Sequence, residues 1–185
     1  MRYKAGLETR DKILESTRAQ IAELGLEGTT IKTICDAAGV LPGSFYNLFD
    51  SKEQAILTAV RAAIDAVDPD PEHEGKDTLD DLINAYLRFV EEQSDLARVY
   101  IRIAVAATRN SPELRGRILR HHEGRVQRFA AAMQRERTDL ADDEARNRAE
   151  ALVSALNGLT LHYTIDPGFD VAHFARLLKK VAIKD

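Results

Sequence analysis

The sequence predicts an all-α fold, and three observations carry that prediction. Apolar residues recur at three- and four-residue spacing along almost the whole chain, the period of an amphipathic helix. No alternating run of useful strand length appears, and the stretch richest in β-branched residues, Val99 to Val105, keeps helical spacing through Leu96, Val99, Tyr100, Ile103 and Ala107. The five prolines in 185 residues fall at helix boundaries or in one connecting stretch.

The first helix is expected from about Thr9 to Leu24, with Ile13, Leu14, Thr17, Ile21 and Leu24 on one face and Gly25 as its stop. A short helix follows from Ile31 to Ala38, capped by Thr29 or Thr30 and ended by Gly39, where a left-handed backbone suits glycine. Pro42, at a first helical position, opens a second short helix to about Phe49. Ser51 and Gln54 form a capping box for a longer helix through Ile56, Val60 and Ile64. The run Asp68-Pro69-Asp70-Pro71-Glu72 is the natural boundary, dividing the chain into residues 1–67 and 68–185. Beyond it, Thr78 with Asp81 starts a helix through Val90, and Ser94 with Asp95 starts the next, to about Asn110. Ser111-Pro112-Glu113 starts a helix to about Arg137, and Asp142 or Asp143 one to about Ile165. Asp170 caps the last helix, with Val171, Phe174, Leu178 and Val181 inward.

Composition narrows the function classes. The length suits about one domain or one with a small appendage, and 44% hydrophobic residues is ordinary for a globular chain. No uninterrupted apolar run exceeds five residues, against about 20 for a membrane span, and Arg10, Asp11, Lys12, Glu15 and Arg18 occupy the place of a signal sequence's apolar stretch. A cytoplasmic protein without a membrane partner is expected. The single cysteine, Cys35, makes neither an internal disulfide nor a Cys-rich zinc site. No nucleophile-base signature, phosphate loop or metal-ligand motif is found, so neither enzyme activity nor a cofactor is expected. The formal net charge of −4 argues against a nucleic-acid partner unless a few cations are well placed.

Two short helices joined by a glycine-containing turn and flanked by longer helices have the form of a helix-turn-helix. Phe45 and Phe49, four apart, anchor the second short helix, leaving Ser44, Tyr46, Asn47 and Leu48 outward or sideways. Periodicity alone leaves an ordinary helical hairpin equally open. The residues add more. Gly28-Thr29-Thr30-Ile31, Ala38-Gly39-Val40 and Gly43-Ser44-Phe45-Tyr46-Asn47-Leu48-Phe49-Asp50-Ser51-Lys52-Glu53 closely resemble the N-terminal signature of the TetR (tetracycline-repressor-like) family. The resemblance covers about the first third of the chain. It implies an N-terminal DNA-binding helix-turn-helix domain, a C-terminal helical bundle that binds a small-molecule effector and forms a homodimer, and a double-stranded DNA operator as partner.

Carried over residue by residue, the resemblance puts Lys32, Pro42, Gly43, Ser44, Tyr46, Asn47 and Lys52 at the DNA surface and Thr30 against a phosphate. Leu41 replaces a frequent serine, so the second short helix lacks a side-chain cap, and Leu48 either packs inward or meets a thymine methyl. Through Val60 there are seven basic against eight acidic residues. Arg2 and Lys4 are expected on a flexible arm that reaches an adjacent groove or stays a disordered basic tail.

In the C-terminal part, Ala151, Ala155, Gly158 and His162 form a stripe of mostly small residues that suits close helix approach. With Phe174 and Leu178 it is expected to form the dimer interface, packing within one chain being the alternative. Tyr86, Phe89, Tyr100, Ile103, His122, Phe129 and Leu152 are placed around an effector cavity or, alternatively, in a solid core. Arg117, Arg125, Arg128 and Arg135 make either a solvated face or an electropositive mouth for an anionic ligand. The reading is a homodimeric repressor released from a palindromic operator by a small, largely apolar effector. The alternative is a helical ligand- or partner-binding protein without specific DNA binding.

Overall fold

The computed structural model describes the backbone of residues 2–67, 75–110 and 112–184, with side chains left undescribed at 2–5, 64–67, 106–110, 113 and 114. The expected boundary run and Ser111 lie mostly or wholly outside the described residues. Among the described residues the chain is helical without strands: α1 (Arg2–Gly28), α2 (Ile31–Ala38), α3 (Pro42–Tyr46), α4 (Lys52–Val67), α5 (Leu79–Glu92), α6 (Ser94–Asn110), α7 (Pro112–Glu136), α8 (Asp142–Ile165) and α9 (Val171–Ala182).

Local chemistry sets most boundaries. Gly25, at φ 67° and ψ −174°, breaks the helical path of α1 at the expected place, although a further turn continues to Gly28. Thr30, rather than Thr29, caps α2: its hydroxyl accepts from Thr33 N at 3.1 Å while Thr33 Oγ1 accepts from Thr30 N at 2.9 Å. Gly39 ends α2 at φ 64°. The α3 N-terminus has no side-chain cap at Leu41, which is 77% exposed. At α4, Ser51 Oγ accepts from Gln54 N, whereas the Gln54 side chain reaches one residue further back, to Asp50 N. Thr78 and Asp81 make the predicted capping box of α5, and Asp170 accepts from His173 N at the start of α9.

Two differences stand out. The first helix begins at Arg2, seven residues before the expected start, so the backbone of Arg2 and Lys4 is helical, in place of the expected flexible arm or disordered tail. The second short helix ends at Tyr46, with Asn47 as its C-cap, instead of at Phe49.

The apolar stripes bury into two clusters. Ile13, Leu14, Ile34, Cys35, Phe45, Phe49, Ala55 and Ala59 pack α1 to α4 together. A larger cluster gathers residues of α5 to α9 and also takes Ile21 of α1 and Ile56, Val60 and Ala63 of α4. Helix α4 therefore belongs to both cores, and a shift of it on one side is felt by packing on the other. At the start of α5, Asp77 is buried, its carboxylate 2.8 Å from Arg128 Nε, and its carbonyl accepts from Arg135. Leu79 N donates to Glu136 Oε1, which further ties this segment to α7.

Candidate nucleic-acid interface and effector cavity

The two short helices present one polar surface because their apolar sides are anchored. Phe45 is fully buried and its ring lies 5.4 Å from that of Phe49. Leu48 packs against the same cluster, which resolves its two readings in favour of the inward one. Pro42, Gly43, Tyr46 and Asn47 are exposed and Ser44 is partly so; the Tyr46 side chain, 58% exposed, leaves its phenol free of the core. Thr30 is exposed beside this face, with its hydroxyl engaged in the cap of α2. Lys32 is exposed but paired with Asp36 at 2.6 Å, which holds its pKa above the ordinary lysine value.

Lys52 departs from the expected free phosphate contact. Its ammonium donates to the Leu26 carbonyl at 3.0 Å and the residue is partly buried. The break at Gly25 turns the end of α1 so that this carbonyl faces the start of α4. Two of the three ammonium N–H groups remain for an anion. The side chains of Arg2 and Lys4 lie outside the described residues. Cys35 is buried beneath α2, and burial first, then nearby Asp36, raises its thiol pKa.

In the C-terminal helices a cavity of about 90 Å³ lies between α5, α6, α7 and α8. Tyr86, Phe89, Tyr100 and Phe129, four of the seven expected residues, line it. Ile103 and Leu152 are buried in the core away from this lining. His122 faces α8 instead, with Nε2 2.7 Å from Glu150 Oε1. His121, one residue earlier, takes its expected place.

Arg125 and Arg128 also line the cavity. His121, Arg125 and Arg128 fall at i, i+4 and i+7, one helical stripe; reading that stripe as polar and inward, rather than as a wet face, was the available signal. The Tyr86 hydroxyl donates to the Leu156 carbonyl at 2.9 Å and lies 3.1 Å from Thr160 Oγ1, and burial pushes its pKa up to about 12. Burial, reinforced by Arg125, pushes His121 down to about 4, so it is neutral at pH 7.

A second cavity, of about 280 Å³, shares Tyr100 and His121 with the first and is walled by Leu57, Thr58, Val60 and Arg61 of α4. The Tyr100 and His121 rings meet edge-on, their centroids 5.7 Å apart, between the two spaces. The four arginines of α7 thus divide: Arg117 is exposed beside the second cavity, Arg125 and Arg128 reach the first, and Arg135 holds the Asp77 carbonyl.

On the outer side of α8, Ala151, Gly158 and His162 are exposed and Ala155 is partly so. Phe174 of α9 is exposed and stacks on Phe169, which also stacks on His162, while Leu178 is partly buried against the core. Leu161, Ile165, Leu177 and Val181 are exposed large apolar residues that small-residue spacing did not select. Among the described residues no helix is long and apolar enough to cross a membrane, and no three His, Cys, Asp or Glu side chains converge as a metal site.

A short-helix pair with an anchored inner side and a polar outer one, followed by a cavity-bearing helical bundle, defines a helix-turn-helix regulator. The comparisons agree. Residues 13–59 match the model for bacterial regulatory proteins of the tetR family, and residues 75–182 match that for the C-terminal part of BetI-type transcriptional repressors. The chain belongs to the tetR family of bacterial regulatory proteins, which are transcriptional regulators and not enzymes.

Over 56 residues it is 41% identical to the HTH-type transcriptional repressor KstR2 of Mycolicibacterium smegmatis, a match spanning 30% of this chain and 27% of that relative. The fold is similar to that of FadR from Bacillus subtilis in complex with stearoyl-CoA, at TM-score 0.69 and 18% identity over 94% of this chain and 97% of that one. It is also similar to the SmeT–triclosan complex, SmeT being the repressor of a Stenotrophomonas maltophilia efflux pump, at TM-score 0.70 and 18% identity over 95% and 90% of the two chains. At these identities the structural likeness concerns the fold alone.

Proposed function

We propose that the protein is a cytoplasmic, homodimeric transcriptional repressor that holds a palindromic operator and is released when a small, largely apolar effector enters the bundle. In this reading residues 1–67 are the DNA-binding domain and residues 68–185 the effector-binding and dimerisation domain. The observation that carries it is the double membership of α4. This helix starts directly beyond the short-helix pair and walls the second cavity with Leu57, Val60 and Arg61. A ligand that favours one position of α4 therefore has a packed route to the reading heads, and it shifts the equilibrium by its difference in affinity for the two arrangements. Two heads of a dimer reach successive major grooves only when about 34 to 36 Å apart, so a modest tilt is enough to lose one of them.

On the DNA side, Pro42, Gly43, Ser44, Tyr46 and Asn47 form the reading surface, flanked by Thr30, Lys32 and Lys52, with Arg2 and Lys4 as further cations. Between subunits, the open strip at Ala151, Ala155, Gly158 and His162 meets its symmetry mate, with Phe174, Leu178 and the exposed Leu161, Ile165, Leu177 and Val181 adding apolar surface. The ligand-bound FadR and SmeT structures support an effector role for a bundle of this fold.

The even charge balance of the first 60 residues favours a second reading, a ligand-binding protein that makes no specific DNA complex. Mobility shifts on DNA flanking the gene, at several salt concentrations, separate the two. The repressor reading predicts one site bound far more tightly than competitor DNA. Equal affinity for all sequences supports the second reading instead.

A further inference from the structure

Arg125 is the arginine of α7 whose surroundings ask for something the chain does not supply. Its Nη1 donates to Asn157 Oδ1 at 2.8 Å, and no carboxylate among the described residues lies within ion-pair distance of it. Other partly buried arginines of this bundle have one: Arg128 pairs with Asp77, Arg137 with Asp139 and Arg148 with Glu144. A guanidinium carries five N–H donors, and a desolvated cation without an anion is costly to keep.

Two more polar groups face the same space. His121 Nε2 is buried with no hydrogen-bond partner, and the Tyr100 hydroxyl has none among the described residues. With the hydroxyl protonated, and with Nε2 bearing the proton of the neutral imidazole, both act as donors alongside the arginine. Leu82, Ala85, Phe89, Ile101 and Phe129 give apolar wall, Arg128 is already paired with Asp77, and no aspartate or glutamate among the described residues lines the cavity.

We infer that the inner cavity binds a small monocarboxylate, its carboxylate held by Arg125 with donors from Tyr100 and His121 and its apolar end against Phe89 and Phe129. The inference deepens the effector reading of the bundle and rests on it for the ligand's regulatory meaning. One positive group matches a single carboxylate's charge, and a carboxylate's two oxygens accept several donors, including a bidentate arginine. A cationic ligand has no counter-charge here. Size follows from volume: an apolar cavity of about 150 Å³ holds one benzene, six carbons, so about 90 Å³ suits about four non-hydrogen atoms, with butyrate, at six, the upper limit. Longer chains need the Tyr100 and His121 rings to part and admit the tail to the second cavity beside α4.

The test is calorimetric titration of the purified protein, without DNA, with sodium butyrate, sodium hexanoate, butyramide and butylammonium chloride, in buffer held at constant ionic strength with sodium chloride. Butyrate is expected to bind at least tenfold more tightly than butyramide, with no heat from butylammonium. Arg125→Met should bring butyrate to the level of the amide, and Arg125→Lys should recover part of the difference. Equal binding of butyrate and butyramide, or no binding of either carboxylate, overturns the inference on the wild-type protein alone, whatever the variants' stability. Undiminished butyrate binding by a folded Arg125→Met variant overturns it as well. Operator release is scored separately: butyrate that binds but leaves an operator complex intact upholds the carboxylate site and counts against ligand-controlled release.

Discussion

Replacing Gly158 by leucine separates two quantities that usually move together, subunit stability and association. Within one subunit, a Cβ placed at Gly158 meets no atom within 4 Å, and the residue sits inside α8 in helical conformation. Removing a mid-helix glycine gains about 0.8 kcal/mol, which for a chain of this length raises the unfolding midpoint by roughly 2–3 °C. In the dimer, the same side chain enters space needed by the partner helix. Overpacking costs about 1–3 kcal/mol per site, and a twofold axis presents the substitution twice, so association weakens by about 2–6 kcal/mol, roughly 30-fold to 10⁴-fold in Kd. Sedimentation velocity across a dilution series, with melting curves on the same samples, reads both effects. The expected variant is a monomer whose melting does not depend on concentration and which is at least as stable as wild-type protein diluted to the monomer. A variant that sediments as an undisturbed dimer refutes the placement of this strip between subunits, and a monomer less stable than the diluted wild type refutes the argument from open space.

Tyr46→Ala is expected to weaken operator binding roughly tenfold, the loss of about one charge-assisted contact, without changing the urea midpoint; unchanged affinity removes Tyr46 from the reading surface. Lys52→Ala is expected to lose about 1 kcal/mol of stability with the Leu26 contact and to shrink the salt slope by about 0.9; an unchanged slope restricts the ammonium to its structural contact. Leu41→Ser gives α3 the cap it lacks and should add about 0.5–1 kcal/mol in urea unfolding, whereas no gain would show that this terminus is already satisfied. His121 carries the pH prediction. Its pKa falls from an ordinary 6.5 to about 4 on folding, so the unfolded chain takes up a proton first, and stability declines as pH drops from about 6.5 to about 4. The decline amounts to about 3 kcal/mol, and His121→Asn should lack that share; identical pH profiles for variant and wild type contradict it.

Where the sequence was legible, a local chemical device set the structure. Thr78 with Asp81, Asp170 and Gly39 each fix a helix end through bonds within a few residues, Pro42 opens α3 through its fixed φ, and α2 runs over the predicted residues. The N-terminus was misread because charge at Arg2 and Lys4 says what a side chain prefers to face, while helix continuation depends on backbone propensity, and a single Gly6 costs about 1 kcal/mol without breaking α1, whose helical path is interrupted only at Gly25. The cavity was legible by element, and by phase at Tyr86, Phe89, Tyr100 and Phe129 but not at Ile103, His122 or Leu152. Helix α7 packs on both α6 and α8, and of its two residues expected at the cavity Phe129 lines it while His122 faces α8. Adjacent residues on a helix differ by about 100°, which separates His122, paired with Glu150, from His121 at the cavity. Lys52 shows a different limit: its partner, the Leu26 carbonyl, is 26 positions away and becomes available only after Gly25 redirects the chain.

The central claim is that the surface from Pro42 to Asn47 reads DNA as part of a twofold pair. Hydroxyl-radical footprinting of wild-type protein and the Tyr46→Ala variant on DNA flanking the gene tests it most directly. The account predicts two protected patches on one face of the duplex, centred about 34 to 36 Å apart, with the variant needing roughly ten times more protein for the same protection. Uniform protection without discrete patches, or a footprint that Tyr46→Ala leaves unchanged at every protein concentration, contradicts it.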